Sequence, residues 1–429
     1  MKKRNFIRLA SVSIATLTLS WLAGCGGDPA PKPGEGGTEA KVDPKPKSDG
    51  SAGGTPTGEP IVIAIAGPMT GGGAAFGEMI RNAAELKGKE TNEAGGVNGR
   101  PIKFQVEDDK GAAQEATSVS RKITSDDSIV AVIGHFNSDC SLAAKPEYNR
   151  VGILQLSPGS TNIDVCQGGE WTFRNLYRDD FQGKFLANFA LKALELKKVA
   201  VVFEQDNYGT GLKEAFEAEA KRIGLEIVAL ETYSRGRTQD FKPHMTKIKA
   251  VGADGVFISG LYNEAALIIK TAKNDLGMTV PFFGGDGLVS PDLLKLGGAA
   301  TEGCYVTTPF LFGTKQESAK ASSFLSAFQA MHKVEPDTWA ALTYDACGQV
   351  IQAIEAVGTD RKAIRDHLAA QNTKEKGYDG VTGLTFFDEN GDCPGKPIYV
   401  TQVIAEMKEV DGAQTKTLKF GVSPKQLLE

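Results

Sequence analysis

Histidine, tryptophan and cysteine are scarce in this 429-residue chain, at four, three and six residues. The histidines, at 135, 244, 332 and 367, are too scattered for metal-ligand spacing. Charge of one sign is also lacking: 48 Lys+Arg stand against 53 Asp+Glu, a formal net charge of -5. A nucleic-acid surface needs clustered basic side chains to displace counterions, so no such partner is expected. Mean hydropathy is -0.21, and no series of long apolar runs occurs, which excludes a polytopic membrane protein. There is no Walker A sequence, no G-x-S-x-G elbow and no H-E-x-x-H pair. What the chain does have is 50 glycines, for many tight turns, and a 41% hydrophobic fraction that supports ordinary cores. At roughly 100–200 residues per domain, the length suggests two or three domains.

The amino terminus reads as an address. Lys2, Lys3, Arg4 and Arg8 precede an apolar run from Leu9 to Leu22. As a helix that run spans about 21 Å, short of a ~30 Å bilayer core and suited to a secretory signal. It ends in Leu22-Ala23-Gly24-Cys25, which resembles a bacterial lipobox. That resemblance implies a signal peptide over 1–24 and a diacylglycerol thioether on Cys25, the mature N-terminus. Gly26–Glu59 then carries six Pro, nine Gly and no aromatic residue, too little apolar surface to offset its ordering entropy. Residues 25–59 are therefore expected to be a disordered tether holding a folded module near the membrane.

From residue 60 strands alternate with helices. Ile61–Ala66 is a continuous apolar run, as in a strand covered on both faces. Phe76–Asn92 reads as a helix with Met79, Ile80, Ala83, Ala84 and Leu86 inward. Strands follow at Ile102–Val106, Ile129–Ile133 and Ile153–Leu156, with helices at Ala112–Ile123 and Ser138–Asn149. A second series begins near Asp180, with strands at Val199–Phe203, Ile227–Leu230, Val256–Ser259 and Val280–Phe283 between helices. The pattern predicts an α/β protein with two doubly wound parallel-sheet lobes.

Ligands of open parallel sheets sit beyond the carboxyl ends of the strands. Here those ends read Gly67-Pro68-Met69-Thr70-Gly71, Gly134-His135-Phe136-Asn137-Ser138, Ser157-Pro158-Gly159-Ser160-Thr161, Glu204-Gln205-Asp206-Asn207-Tyr208-Gly209, Ser259-Gly260-Leu261-Tyr262 and Gly284-Gly285-Asp286. They carry glycines, hydroxyls and aromatics without an acid, base and nucleophile set, so no catalytic residue and no cofactor is expected. Gly71–Gly77 lacks dinucleotide-loop spacing, since Phe76 stands where the third Gly would. Asp388-Glu389-Asn390-Gly391-Asp392 lacks the rest of a calcium loop and reads as a turn. His135 reads as a strand-end hydrogen-bonding residue.

In their order and spacing these stretches resemble the branched-chain amino-acid binding family, the type I periplasmic solute-binding proteins of ABC importers. Gly95-Gly96-Val97-Asn98-Gly99, Tyr344-Asp345-Ala346, Phe387-Asp388-Glu389-Asn390-Gly391-Asp392 and Gly395-Lys396-Pro397-Ile398-Tyr399 add to it, and it runs from about 60 to 410. The resemblance implies two lobes joined by a three-strand hinge, with lobe 1 at 60–178 plus 309–396 and lobe 2 at 179–308 plus 397–429. It implies that Ser138 binds the ligand carboxylate, aided by the helix it opens. Gly159, Ser160 and Thr161 would present a carbonyl and hydroxyls, and Asp286 would pair with the ammonium. Phe76 and Tyr208 would line the side-chain pocket. Ser138 also reads as a simple N-cap, Asp286 as a turn aspartate and the two aromatics as core. Two positions depart from the family: Leu261 replaces a Tyr, and Asn137 replaces a small or sulfur-bearing residue. Both leave room for a polar or larger amino acid.

The resemblance further implies a Cys140–Cys166 disulfide, closing a loop of about 27 residues worth ~3–4 kcal/mol in the chain-entropy model. The pairing of Cys304, Cys347 and Cys393 stays open. The protein expected is an exported, monomeric, lipid-anchored binding subunit with ABC permease subunits as partners. The alternative is a sensor that closes on the same ligand and signals to a receptor or regulator.

Overall fold

The structure, a computed structural model, describes residues 55–314, 318–410 and 413–426. The expected signal segment 1–24, Cys25 and the tether as far as 54 lie outside the described residues. The tether's last residues are held rather than loose. The Gly58 N–H donates to the Gly99 carbonyl at 3.1 Å, and Arg100 Nε to the Glu59 carbonyl at 2.8 Å.

The first series is β1 (Ile61–Gly67), α1 (Ala74–Glu93), β2 (Ile102–Asp108), α2 (Ala113–Thr124), β3 (Ile129–Ile133), α3 (Ser138–Val151), β4 (Leu154–Ser157) and β5 (Thr172–Arg174). Its strands form one parallel sheet in the order β2-β1-β3-β4-β5. β1 is buried at every position because alternate side chains meet different helices. Ile61, Ile63 and Ile65 share a core with Phe76, Ile80 and Ala84 of α1. Val62, Ala64 and Ala66 face Val119 and Ile123 of α2 and Ala144 and Tyr148 of α3. The inward side of α1 falls where its spacing predicts, with Met79, Ile80, Ala83, Ala84 and Leu86 all buried.

The second series is α4 (Asp179–Lys192), β6 (Lys198–Glu204), α5 (Asn207–Ile223), β7 (Glu226–Tyr233), α6 (Lys242–Ala250), β8 (Gly255–Ser259), α7 (Tyr262–Lys270), β9 (Phe282–Gly284), α8 (Pro291–Gly297) and β10 (Tyr305–Thr308). Three helices follow: α9 (Ala319–His332), α10 (Thr338–Val357) and α11 (Arg361–Ala369). A short antiparallel pair comes next, β11 (Tyr378–Gly380) with β12 (Gly383–Thr385). The last strands are β13 (Tyr399–Val410) and β14 (Ala413–Val422). The second sheet has the order β14-β13-β10-β9-β8-β6-β7. It is parallel from β7 to β10, as its βαβ pattern predicts, and antiparallel at β13 and β14. Only residues 411–412 separate β13 from β14, and a connection that short permits antiparallel pairing alone.

Helix α10 packs beside α1 and touches β3, so chain from beyond the second sheet completes the core of the first. The passage from β5 to α4 is pinned from the same distant region. Arg174 is fully buried and its Nε donates to Asp392 Oδ1 at 2.6 Å, while Arg178 Nη1 reaches Asp392 Oδ2 at 3.1 Å. The stretch 388–392 is a turn, closed by Asp388 N–H to the Asp392 carbonyl at 2.8 Å. Its geometry presents Asp392 to both arginines.

Loops after the strands of one sheet meet loops after the strands of the other. Tyr262 Oη donates to the Gly72 carbonyl at 2.9 Å, Asn162 Nδ2 to the Asn207 carbonyl at 2.7 Å, and Trp339 Nε1 to the Val289 carbonyl at 3.0 Å. The carboxyl ends of the parallel strands of both sheets thus border a common cleft.

Candidate functional site

The residue after β3 that matters most is Ser138, the first residue of the 14-residue helix α3. It is 2% exposed, and its Oγ accepts the Asn162 N–H at 3.2 Å. Asn137 precedes it in extended backbone and makes no side-chain cap. Gly159, after β4, lies against the Phe136 ring, and a Cβ there would collide with it. Facing these groups are Tyr208 in the first turn of α5, Leu261 before α7, and Asp286 just after β9.

Between the two sides lies a void of about 20 Å³, space for about one water. Phe136, Asn137, Ser138, Gly159 and Trp339 line it from one side, and Tyr208, Leu261 and Asp286 from the other. Six of the nine residues read as ligand-facing therefore converge here: Asn137, Ser138, Gly159, Tyr208, Leu261 and Asp286. The other three stand behind. Phe76 is fully buried with its ring 4.6 Å from Phe136, 4.9 Å from Tyr262 and 5.9 Å from Trp339, so it backs the wall as core. Ser160 Oγ bonds Ser141 Oγ at 2.7 Å and the Phe136 carbonyl at 2.9 Å, which holds the turn together. Thr161 is buried with its Oγ1 unpartnered, and its carbonyl accepts the Asp179 N–H at 2.9 Å.

Electrostatically the centre is Asp286. It is 2% exposed, with Oδ1 accepting from Tyr208 Oη at 3.0 Å and Oδ2 without a partner. Burial pushes its carboxyl up to about 6, against the lowering effect of the Tyr208 hydroxyl. Tyr177 Oη and Gln182 Nε2, which have no other partners, face it and join the Tyr208 hydroxyl in opposing the effect of burial. Asp179, the first residue of α4, is fully buried with the Thr161 hydroxyl beside its carboxylate. Burial first, and the Asp286 charge next, hold its carboxyl well above the ordinary range. Buried polar groups are almost always paired. Of the two, Asp286 lines the void, and a carboxylate there can accept from a group that donates several hydrogen bonds, chemistry that an ammonium has.

Sequence reasoning missed Asp179 and Trp339. Asp179 follows β5, a three-residue strand with no periodicity to reveal it. Trp339 had a usable signal: Asp337 precedes an apolar run and caps it, accepting from Trp339 N–H at 2.9 Å and Ala340 N–H at 3.0 Å. His135 is a buried hydrogen-bonding residue, as read, with Nδ1 2.6 Å from Asp109 Oδ2 and Nε2 3.0 Å from Tyr148 Oη.

One expectation is corrected. Cys140 and Cys166 form no disulfide; both are free, buried thiols, as are Cys304, Cys347 and Cys393. The two side chains serve different surroundings. Burial, with Asp109 and Asp139 nearby, drives the Cys140 thiol far up, whereas Cys166 lies by Arg174, with Sγ 3.6 Å from the Gly391 carbonyl.

Comparison with known proteins agrees with this geometry. The family described as periplasmic binding protein matches residues 60–408. The chain belongs to that family. Its members bind solutes and are not enzymes. A "Leu/Ile/Val-binding protein homolog 1" of Brucella abortus is 33% identical over 342 residues, covering 79% of this chain and 89% of the relative. An "Amino acid binding protein" of Pseudomonas aeruginosa is 32% identical over 77% of this chain and 87% of its own. Among solved structures, the branched-chain amino acid transporter substrate binding protein LivJ of Streptococcus pneumoniae, in complex with isoleucine, superposes with a TM-score of 0.76 at 30% identity. It covers 85% of this chain and 100% of its own. The two-lobed α/β architecture is that of these type I periplasmic binding proteins, and the family places the chain among exported proteins.

Proposed function

We propose that this protein is the lipid-anchored, extracytoplasmic substrate-binding subunit of an ABC importer, and that it captures an α-amino acid between two closing lobes. The observation that carries the reading is Asp286 Oδ2, buried and unpartnered, across a small void from the helix start at Ser138. The ammonium goes to Asp286, with Asp179 beside it. The carboxylate goes to Ser138 and the first N–H groups of α3, where the helix dipole favours an anion. Gly159, Thr161 and Tyr208 fix the orientation. The lobes comprise 60–178 with 309–396 and 179–308 with 397–429, and the chain crosses between them near Arg178/Asp179, Thr308/Pro309 and Lys396/Pro397. Opening about those crossovers admits the ligand, and the ligand stabilises the closed form by its differential affinity for it. Permease subunits then receive the closed lobes, and a lipid on Cys25 keeps the protein at the membrane.

Mass spectrometry of protein purified from its own membranes tests this. An unchanged α-amino acid should be released on denaturation, together with an N-terminal peptide beginning at a diacylglycerol-modified Cys25. A released solute with no amino group contradicts the ligand assignment. A peptide that retains residues before 25 contradicts the anchor.

A further inference from the structure

Beyond the small void the cleft widens into a second cavity of about 850 Å³. Asn137 and Leu261 line both spaces and stand between them. In the opposite direction the void is shut, because the Phe136 and Trp339 rings meet edge to face at 4.9 Å with Phe76 packed behind them. A ligand side chain longer than a few atoms has to part Asn137 from Leu261 or displace a core ring.

The outer cavity is lined by acceptors. Glu204 ends β6, Asp206 caps α5 and Asp139 stands in the first turn of α3. Arg235, after β7, lies across them: its guanidinium pairs with Glu204 Oε1 and Asp206 Oδ2, and Nη1 donates to the Gly111 carbonyl at 2.9 Å. Three buried oxygens remain unpartnered after these bonds, namely Glu204 Oε2, Asp139 Oδ1 and Asn137 Oδ1. Glu204 is fully buried and Asn137 is 6% exposed, so solvent does not serve them. Burial holds the Glu204 carboxyl above the ordinary carboxylate range even with Arg235 against it. Lys110 and Lys270 also line the cavity, but Lys110 is engaged with Glu115 at 3.2 Å and Lys270 is exposed. The unpartnered Tyr233 hydroxyl beside Glu204 is one donor for three unmet oxygens, and a second cation supplies the others.

We propose that the outer cavity is a distal subsite, and that the ligand is an α-amino acid whose extended side chain ends in an amine or guanidine. The side chain passes between Asn137 and Leu261, and its cationic end bonds Glu204 Oε2 and Asp139 Oδ1 beside the resident Arg235. This rests on the amino-acid reading of the inner site and deepens it.

Calorimetric titration of the full protein, dialysed free of copurified solute, with L-leucine, L-ornithine and L-arginine tests the proposal. Ornithine or arginine should bind at least tenfold more tightly than leucine. Asp139→Asn and Glu204→Gln should each reduce that preference at least fivefold, and Asp139→Asn keeps the experiment decisive if loss of the Arg235 pairing prevents Glu204→Gln from folding. Leucine binding as tightly as the cationic amino acids, or a preference unmoved by Asp139→Asn, overturns the distal subsite and leaves the inner site standing. Binding of no α-amino acid overturns both.

Discussion

The Tyr208 hydroxyl donates to one oxygen of the Asp286 carboxylate at 3.0 Å and leaves the other buried, on a carboxylate that Tyr177 and Gln182 also face. The Gly287 N–H in turn donates to the same hydroxyl at 3.1 Å, so the tyrosine is fixed by its own hydrogen bonds and aims the carboxylate. Replacing Asp286 by Ala should weaken amino-acid binding at least 100-fold, because the ammonium would then lose the carboxylate that lines the void. Tyr208→Phe keeps the ring and the charge but frees the carboxylate, and a loss of about tenfold is expected from one charge-assisted bond. Titration calorimetry of both variants checks the order of effects.

Protonation should act on fold and ligand in opposite senses. Asp286 titrates at about 6 in the folded protein, above its ordinary value of 3.8, because burial disfavours the charged form. The folded state therefore holds that proton more tightly than the unfolded chain, and this group's contribution to stability is lost as pH rises from about 4 to about 6. Ammonium binding needs the carboxylate, so affinity should rise over the same interval and level off above it. Asp179 is a buried neighbour, so the apparent midpoint belongs to the pair. Titrations at pH 5 and pH 7.5 should differ for the native protein and much less for Asp286→Asn.

The buried pair Arg174–Asp392 ties the passage between the sheets to the turn at 388–392. Replacing Arg174 by Met leaves the buried Asp392 carboxylate with Arg178 alone and should cost roughly 2–3 kcal/mol in urea unfolding, the loss of a charge-assisted hydrogen bond. Replacing Arg174 and Arg178 together strands the carboxylate and should cost more, roughly 3–5 kcal/mol.

The cysteines give a count. Burial raises the thiols of Cys166 and Cys304 to about 12, and Cys140, Cys347 and Cys393 are buried and raised as well. A thiol reagent at pH 8 should find none of these five in the folded protein and all five after denaturation without reductant. A count of three after denaturation would restore the Cys140–Cys166 bridge.

Trp339 lines the void while Trp171 lies outside it, and Trp21 precedes Cys25. Ligand should therefore change the intrinsic fluorescence of the native protein and of Trp171→Phe, and leave Trp339→Phe silent. Because Trp339 Nε1 also reaches the Val289 carbonyl, Trp339→Phe should bind several-fold more weakly.

Much of this fold is legible in the sequence where local pattern and tertiary role coincide. Ile61–Gly67 is apolar at nearly every position because both of its faces are covered, and α1 buries the side its spacing predicts. The strand-end positions of Ser138, Tyr208 and Asp286 follow from topology once the alternation is recognised. What was not legible depends on distance in the chain. β5 is three residues long, β13 and β14 join a sheet begun about 200 residues earlier, and Asp179 faces Asp286 only after both sheets have formed. The Cys140–Cys166 bridge was implied by the family resemblance, and here both thiols are free and buried in different surroundings.

The central claim is that the cleft grips both ends of a zwitterion, and dissecting the ligand tests it most directly. The best-binding amino acid should be titrated beside its deaminated acid, which lacks the ammonium, and its amide, which lacks the carboxylate. The account predicts that each analogue binds at least 100-fold more weakly than the parent. An analogue that binds as tightly as the parent would contradict it.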